Sequence, residues 1–191
     1  MAAPRYAHIW TIGNDGTWRG SIRDGVYRLE NGGDPNAIRY GYVGLGTAGG
    51  PLEDLSDARV AVDVHLGDRD TCPFTSAGLM FRFDRSRRFY TGLVLTRHVR
   101  RRGSRSLLQL VTRNEHGFAL QPLEGPSGLD SANTLTLGIV GRGDLLELFV
   151  DDQPLCSIAS PAGLRGDPGL LAVGTGQFEF DNFTIATADA G

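Results

Sequence analysis

The densest concentration of chemistry-bearing side chains is the run Arg97-His98-Val99-Arg100-Arg101-Arg102-Gly103-Ser104-Arg105, with five arginines and no acid in nine positions. Clustered guanidinium groups grip phosphate, sulfate or carboxylate through planar, bidentate hydrogen bonds. The run therefore predicts a projecting loop in which Arg97, Arg100, Arg101, Arg102 and Arg105 meet an anionic polysaccharide, an acidic protein surface or nucleic acid; a solvated loop without a dedicated ligand is the alternative. A second set is dispersed. Asp63, His65, Arg82, Tyr90, Gln109 and Arg113 occupy the polar positions of alternating segments, where such a mixture hydrogen-bonds sugar hydroxyls. His65 titrates near neutrality in its ordinary state and offers a general base. The competing reading is an ordinary wet sheet face, since alternation puts polar residues there by necessity.

Other chemistries are poorly represented. Glycoside hydrolysis needs two carboxylates flanking one bond, but no E-x-D-x-x-E run exists, and no two of the six glutamates lie within five positions of each other. Glu147 shares its strand face with Leu145 and Phe149, which predicts a solvated or rim position rather than a catalytic acid. No catalytic residue is assigned. His8, His65, His98 and His116 have no metal-ligand spacing with one another or with Cys72 and Cys156, so a transition-metal site is not expected. Two cysteines are too few for a disulfide framework and predict reduced thiols. Trp10 and Trp18 offer rings for stacking on a sugar, or for core packing.

The elements that must position these groups are strands. The chain has 191 residues, a length that one domain can fill, and its 27 glycines and 9 prolines are too many for a helical protein. Period-2 alternation recurs and helical periodicity does not. In RVAVDVHLG, Val60, Val62, Val64 and Leu66 share one face, while Asp63 and His65 share the other. SAGLMFRF repeats the pattern, with Leu79, Phe81 and Phe83 against Gly78, Met80 and Arg82. FYTGLVLT and SRSLLQLVTR follow as neighbours across the arginine-rich loop. NTLTLGIVG, DLLELFVDD, PLCSI, GLLAVG and QFEFDNFTIA complete the later strands, and ELFVDDQPLCSI predicts a hairpin turning at Asp151-Asp152-Gln153. Earlier candidates are AHIWTI, TWRGSI, GVYRLEN and AIRYGYVGL, and PLEDLS predicts one helical turn. About a dozen short strands imply a sandwich or barrel.

Charge and hydropathy bound the partners. The formal net charge is −3 and all 19 basic residues are arginine, a balance that disfavours general nucleic-acid binding. The absence of lysine also fits a coding bias. No window approaches the roughly 18 apolar residues of a membrane helix, and MAAPRYAHIW lacks the layout of a secretory signal. A cytoplasmic location is the expectation, without excluding export by another route.

The order of these segments, from Trp18 and Gly20 to the terminal strand, resembles the concanavalin A-like lectin/glucanase superfamily, particularly its laminin G-like and 3-keto-disaccharide hydrolase-like branches. The Ser76-Ala77-Gly78 strand ending at Arg82 is similar to an "SG…FR" strand of those domains. Phe149-Val150-Asp151-Asp152 stands where they carry a "vDG" turn, and Phe180-Asp181-Asn182-Phe183 is similar to their closing "fDN" strand. The resemblance covers about Trp18 to Ile185 and implies a single all-β domain, a two-sheet antiparallel jelly-roll sandwich with one concave sheet that commonly holds a sugar. It also implies Asp181 as a calcium-ligand candidate; Asp68 and Asp70 in GDRD form a second candidate pair. Three functions follow as expectations: a non-catalytic module for carbohydrate or an acidic surface, an enzyme acting on a sugar derivative as hydrolase or lyase, and an accessory subunit of a larger assembly.

Overall fold

A computed structural model describes Trp10 and residues 12–42, 57–67, 74–100, 103–132, 134–160 and 165–187. The described backbone is strand after strand. They are β1 (Gly13–Asn14), β2 (Trp18–Arg23), β3 (Val26–Asn31), β4 (Ile38–Tyr42), β5 (Ala58–Leu66), β6 (Phe74–Asp84) and β7 (Phe89–Arg100). There follow β8 (Gly103–Asn114), β9 (Gly117–Leu123), β10 (Thr134–Arg142), β11 (Leu145–Val150), β12 (Gln153–Ala159), β13 (Asp167–Gly174) and β14 (Gly176–Thr187). One 3-10 turn, Leu129–Ser131, separates β9 from β10. The predicted helical turn at PLEDLS, Asp68 and Asp70, Cys72, and most of AHIWTI lie outside the described residues.

Every ladder is antiparallel. One sheet has eight strands in the order β1-β2-β3-β14-β5-β10-β11-β12, and the other has six in the order β4-β13-β6-β7-β8-β9. The chain leaves the first sheet after β3, returns for β5, runs the meander β6 to β9 through the second, and comes back for β10 to β12. This two-sheet exchange is the jelly-roll sandwich that the resemblance implied.

Alternation builds the core. Val60, Val62 and Val64 of β5 face Leu79, Phe81, Leu93 and Leu95 of the opposite sheet, joined by Leu137, Ile139, Leu148, Phe178 and Phe180, all buried. Trp10 stacks on Tyr27 at 5.4 Å and Trp18 packs on Phe178 at 5.6 Å, so both tryptophans belong to this core rather than to a sugar platform. The β11–β12 hairpin turns on Asp151 and Asp152, both left-handed at φ 48° and 59°. Asp151 makes that conformation tolerable by tying itself to β10: its amide donates to the Thr136 carbonyl and its carboxylate accepts from the Thr136 amide, both at 2.9 Å.

A second apolar cluster lies on the far side of the six-stranded sheet. Met80, Phe83, Tyr90, Val94, Val111, Leu171 and Val173 are buried there, with Ile38, Tyr40, Tyr42 and Phe74 packed beside them. That sheet is therefore apolar on both faces. The eight-stranded sheet is the two-sided one expected of an antiparallel sandwich, apolar inward and charged outward.

Candidate binding face

The residues expected to share one polar face are divided by the topology. β5 and β6 follow each other in sequence but belong to opposite sheets. Asp63 and His65 consequently point out of the eight-stranded sheet, whereas Tyr90, Gln109 and Arg113 point out of the six-stranded one, back to back with them.

Arg82 joins neither group. The β6–β7 register slips between Phe81 and Asp84, and Arg82 takes a left-handed φ of 54°. This bulge exchanges the expected faces of two neighbours: Phe83 turns outward into the cluster around Tyr90, and Arg82 turns to the edge of the core. Only 3% exposed, the Arg82 guanidinium donates to Ser160 Oγ at 2.8 Å and to the Gly143 carbonyl at 2.6 Å, with Asp57 Oδ1 at 3.5 Å. It is a structural brace between β6 and the ends of β10 and β12.

The arginine-rich run is likewise mostly strand. β7 and β8 pair without interruption up to Arg100 opposite Gly103, so the predicted loop shrinks to a hairpin tip. Arg97 is 8% exposed and donates to the Leu66 carbonyl of the opposite sheet at 2.8 Å, which removes it from any surface role. Arg105 is exposed and stands opposite His98. The Arg100 side chain, Arg101 and Arg102 lie outside the described residues.

On the eight-stranded sheet, Asp63 has both oxygens occupied. Oδ1 accepts from Thr136 Oγ1 at 2.5 Å and Oδ2 from Asn182 Nδ2 at 2.7 Å. Asp181 is its cross-strand partner and accepts from the Asn182 amide at 2.8 Å. These bonds pin the last strand at the β14 bulge. Among the described residues no three His, Cys, Asp or Glu side chains gather as a metal site. Farther along this face, Arg19, Ser21, Arg23, Arg28, Glu30, Gln177 and Glu179 line a shallow depression of about 300 Å³. The Arg28–Glu179 ion pair at 2.8 Å crosses it.

The remaining three nominated residues do come together. Registers place Tyr90, Arg113 and Phe118 in one row across β7, β8 and β9, and Val94, Gln109 and Pro122 in another, all on the outward face of the six-stranded sheet. Tyr40 reaches this group from β4, with three strands between: it packs edge-on against Tyr90 at 5.7 Å and on Phe83 at 5.7 Å, and Arg113 Nη1 donates to its hydroxyl at 2.8 Å. In a flat sheet β4 and β8 would stand about 19 Å apart. For their side chains to hydrogen-bond, the sheet must curve toward this face, which is therefore the concave one. Gly78 and Gly92 suit the bend, since a Cβ at either would lie 2.1 Å from the Leu93 carbonyl oxygen or 2.5 Å from that of Leu79.

The chemistry of this face is amphipathic. Burial, and next the adjacent Tyr40 phenol, push the Tyr90 hydroxyl well above the ordinary tyrosine range, so it keeps its proton. Gln109 is 7% exposed and its Oε1 has no hydrogen-bond partner. On the edge strand Phe118 and Leu120 stand open at 45% and 44% exposed. Tyr40, Phe118 and Leu120 were not singled out in the sequence. Tyr40 matters only because the sheet curves, and GFALQPL was not recognised as a strand.

No protein-family model and no curated protein sequence matches this chain. Solved structures do match. A carbohydrate-binding module from Bacillus subtilis superposes with a TM-score of 0.54 at 17% identity, over 91% of this chain and 92% of that one. A Bacillus subtilis protein of unknown function with a galectin-like fold gives 0.56 at 14% identity, over 89% of each chain. An alginate lyase from Pseudomonas aeruginosa gives 0.55 at 12% identity, over 91% and 87%. At these identities the likeness is one of fold: the chain is a two-sheet antiparallel jelly-roll sandwich.

Proposed function

We propose that this concanavalin A-like sandwich is a non-catalytic saccharide-binding module whose ligand lies on the concave face of the six-stranded sheet, against Gln109 and Arg113, with Tyr90 beneath and Phe118 and Leu120 at the rim. The observation that carries the reading is the Gln109 amide. A buried carbonyl oxygen without a donor costs about 1–3 kcal/mol, and rotation of the Gln109 side chain out to the face lets a ligand hydroxyl remove that cost. Phe118 supplies the apolar ring on which the C–H face of a sugar packs. Structural neighbours that include a carbohydrate-binding module support the same use of the fold.

The alginate lyase among the neighbours raises catalysis as an alternative. Proton abstraction needs a base: burial holds the Tyr90 phenol protonated, His65 stands on the other sheet, and His98, though on this face, lies far along β7 from Tyr90 and Arg113. Binding is the better-supported role. A glycan array followed by calorimetry tests it: at least one saccharide class binds, and Gln109→Ala weakens that binding about tenfold while the thermal midpoint does not fall. Absence of binding to every glycan on the array would remove the proposal.

A further inference from the structure

Arg113 differs from the ion-paired arginines of this chain. Arg28, Arg39, Arg85 and Arg142 each hold a carboxylate between 2.5 and 2.8 Å away. Arg113, half-buried among Tyr40, Tyr90 and Phe118, has a neutral phenol instead. Alternation puts a single carboxylate, Asp167, on the described strands of the concave face, and Arg85 Nε already holds it at 2.6 Å. Arg105 and His98 stand on the same face, in the β7–β8 arm, without adding an acid. The chain is negative overall, at −3, so this is a local cationic site on an anionic molecule.

A guanidinium has five N–H donors in a planar fork, and the Tyr40 hydroxyl satisfies one. Carboxylate and sulfate match that fork bidentately, and charge-assisted bonds are roughly twice as strong as neutral ones. Withdrawing a cation from water is costly when its partner is uncharged. Resting on the saccharide reading above, we infer that the ligand of this face is an acidic saccharide, whose carboxylate or sulfate group takes the Arg113 guanidinium from the Tyr40 phenol. Phe118, directly across the strand from Arg113, then packs against the ring that bears the acid.

Calorimetric titration of the whole chain with three probes tests this: a galacturonate oligomer, a sulfated glucan oligomer and the uncharged glucan oligomer. The acidic probes bind at least about tenfold more tightly than the neutral one at low salt, and the advantage shrinks at 0.5 M NaCl. Comparison of the two acidic probes separates carboxylate from sulfate recognition. Arg113→Gln weakens the acidic probes by a larger factor than the neutral one and so removes the preference, and Arg113→Lys retains part of it because Lys keeps the charge but not the fork. Tyr40→Phe keeps the aromatic packing, removes the competing acceptor, and tightens the acidic probes. Equal affinity for charged and neutral probes, or an Arg113→Gln loss that is the same for both, overturns the acidic-ligand inference and leaves saccharide binding standing. If none of the three probes nor any glycan binds, the saccharide reading itself fails.

Discussion

Replacing Arg82 with Met tests the bulge that separates core from surface on β6. Met keeps most of the apolar stem and fills the space, so the change isolates the polar contacts. The wild-type guanidinium bonds Ser160 Oγ at 2.8 Å and the Gly143 carbonyl at 2.6 Å. Gly143 is exposed and water replaces its lost donor, but Ser160 is buried and its hydroxyl is left wanting. Hydrogen bonds to a charged group contribute about 1.5–3 kcal/mol each. Part of that is returned, because a buried cation no longer has to be desolvated. The net expectation is a loss of about 2–3 kcal/mol, which in a domain of this size lowers the thermal midpoint by roughly 4–12 °C. Scanning calorimetry and urea unfolding at unchanged slope give the value. Saccharide binding should be untouched, because Arg82 faces away from the concave side. A midpoint within about 1 °C of wild type, together with weakened binding, would mean that simple alternation holds through Phe83 and that Arg82 belongs to the ligand face after all.

Three further outcomes follow from the same geometry. Gly78→Ala should cost more than about 3 kcal/mol or prevent folding, since its Cβ would meet the Leu93 carbonyl at 2.1 Å, whereas Gly32→Ala, with nothing within 4 Å, should be neutral in the same denaturation series. Burial pushes the Tyr27 hydroxyl up to about 12; the folded state holds this proton more tightly than the unfolded chain. Its contribution is therefore complete below pH 10 and disappears between pH 10 and 12, some 2–3 kcal/mol that Tyr27→Phe should remove from the alkaline slope of stability measured by circular dichroism. Asp63→Ala strips the acceptors from Thr136 and Asn182 and should lower stability by about 1–2 kcal/mol without changing glycan affinity, because Asp63 faces out of the opposite sheet.

What could be seen in the sequence was what depends on nearest neighbours. A two-residue period specifies a strand and its buried side, so RVAVDVHLG and NTLTLGIVG appear in the structure as expected, as does the Asp151-Asp152 turn. The described part of the arginine run is strand rather than loop because Arg97 to Arg100 and Gly103 to Arg105 continue a ladder: a hairpin arm needs only cross-strand partners, and Arg97 finds both a strand position and a carbonyl in the opposite sheet. The candidate face was half legible. Tyr90, Gln109 and Arg113 belong to a meander in which sequence neighbours are also sheet neighbours, and that locality made their convergence predictable.

The sequence by itself determined the all-β class, the strand faces and the candidate groups, because alternation and turn chemistry act over a few residues. Only the tertiary structure decided which groups share a surface. A chain crossing between sheets after β5 sends Asp63 and His65 to the opposite side of the molecule from Arg113. One extra residue at the β6 bulge reverses Arg82 and Phe83, and curvature accumulated over five strands brings Tyr40 to Arg113. These are properties of long-range pairing, and no local pattern encodes them.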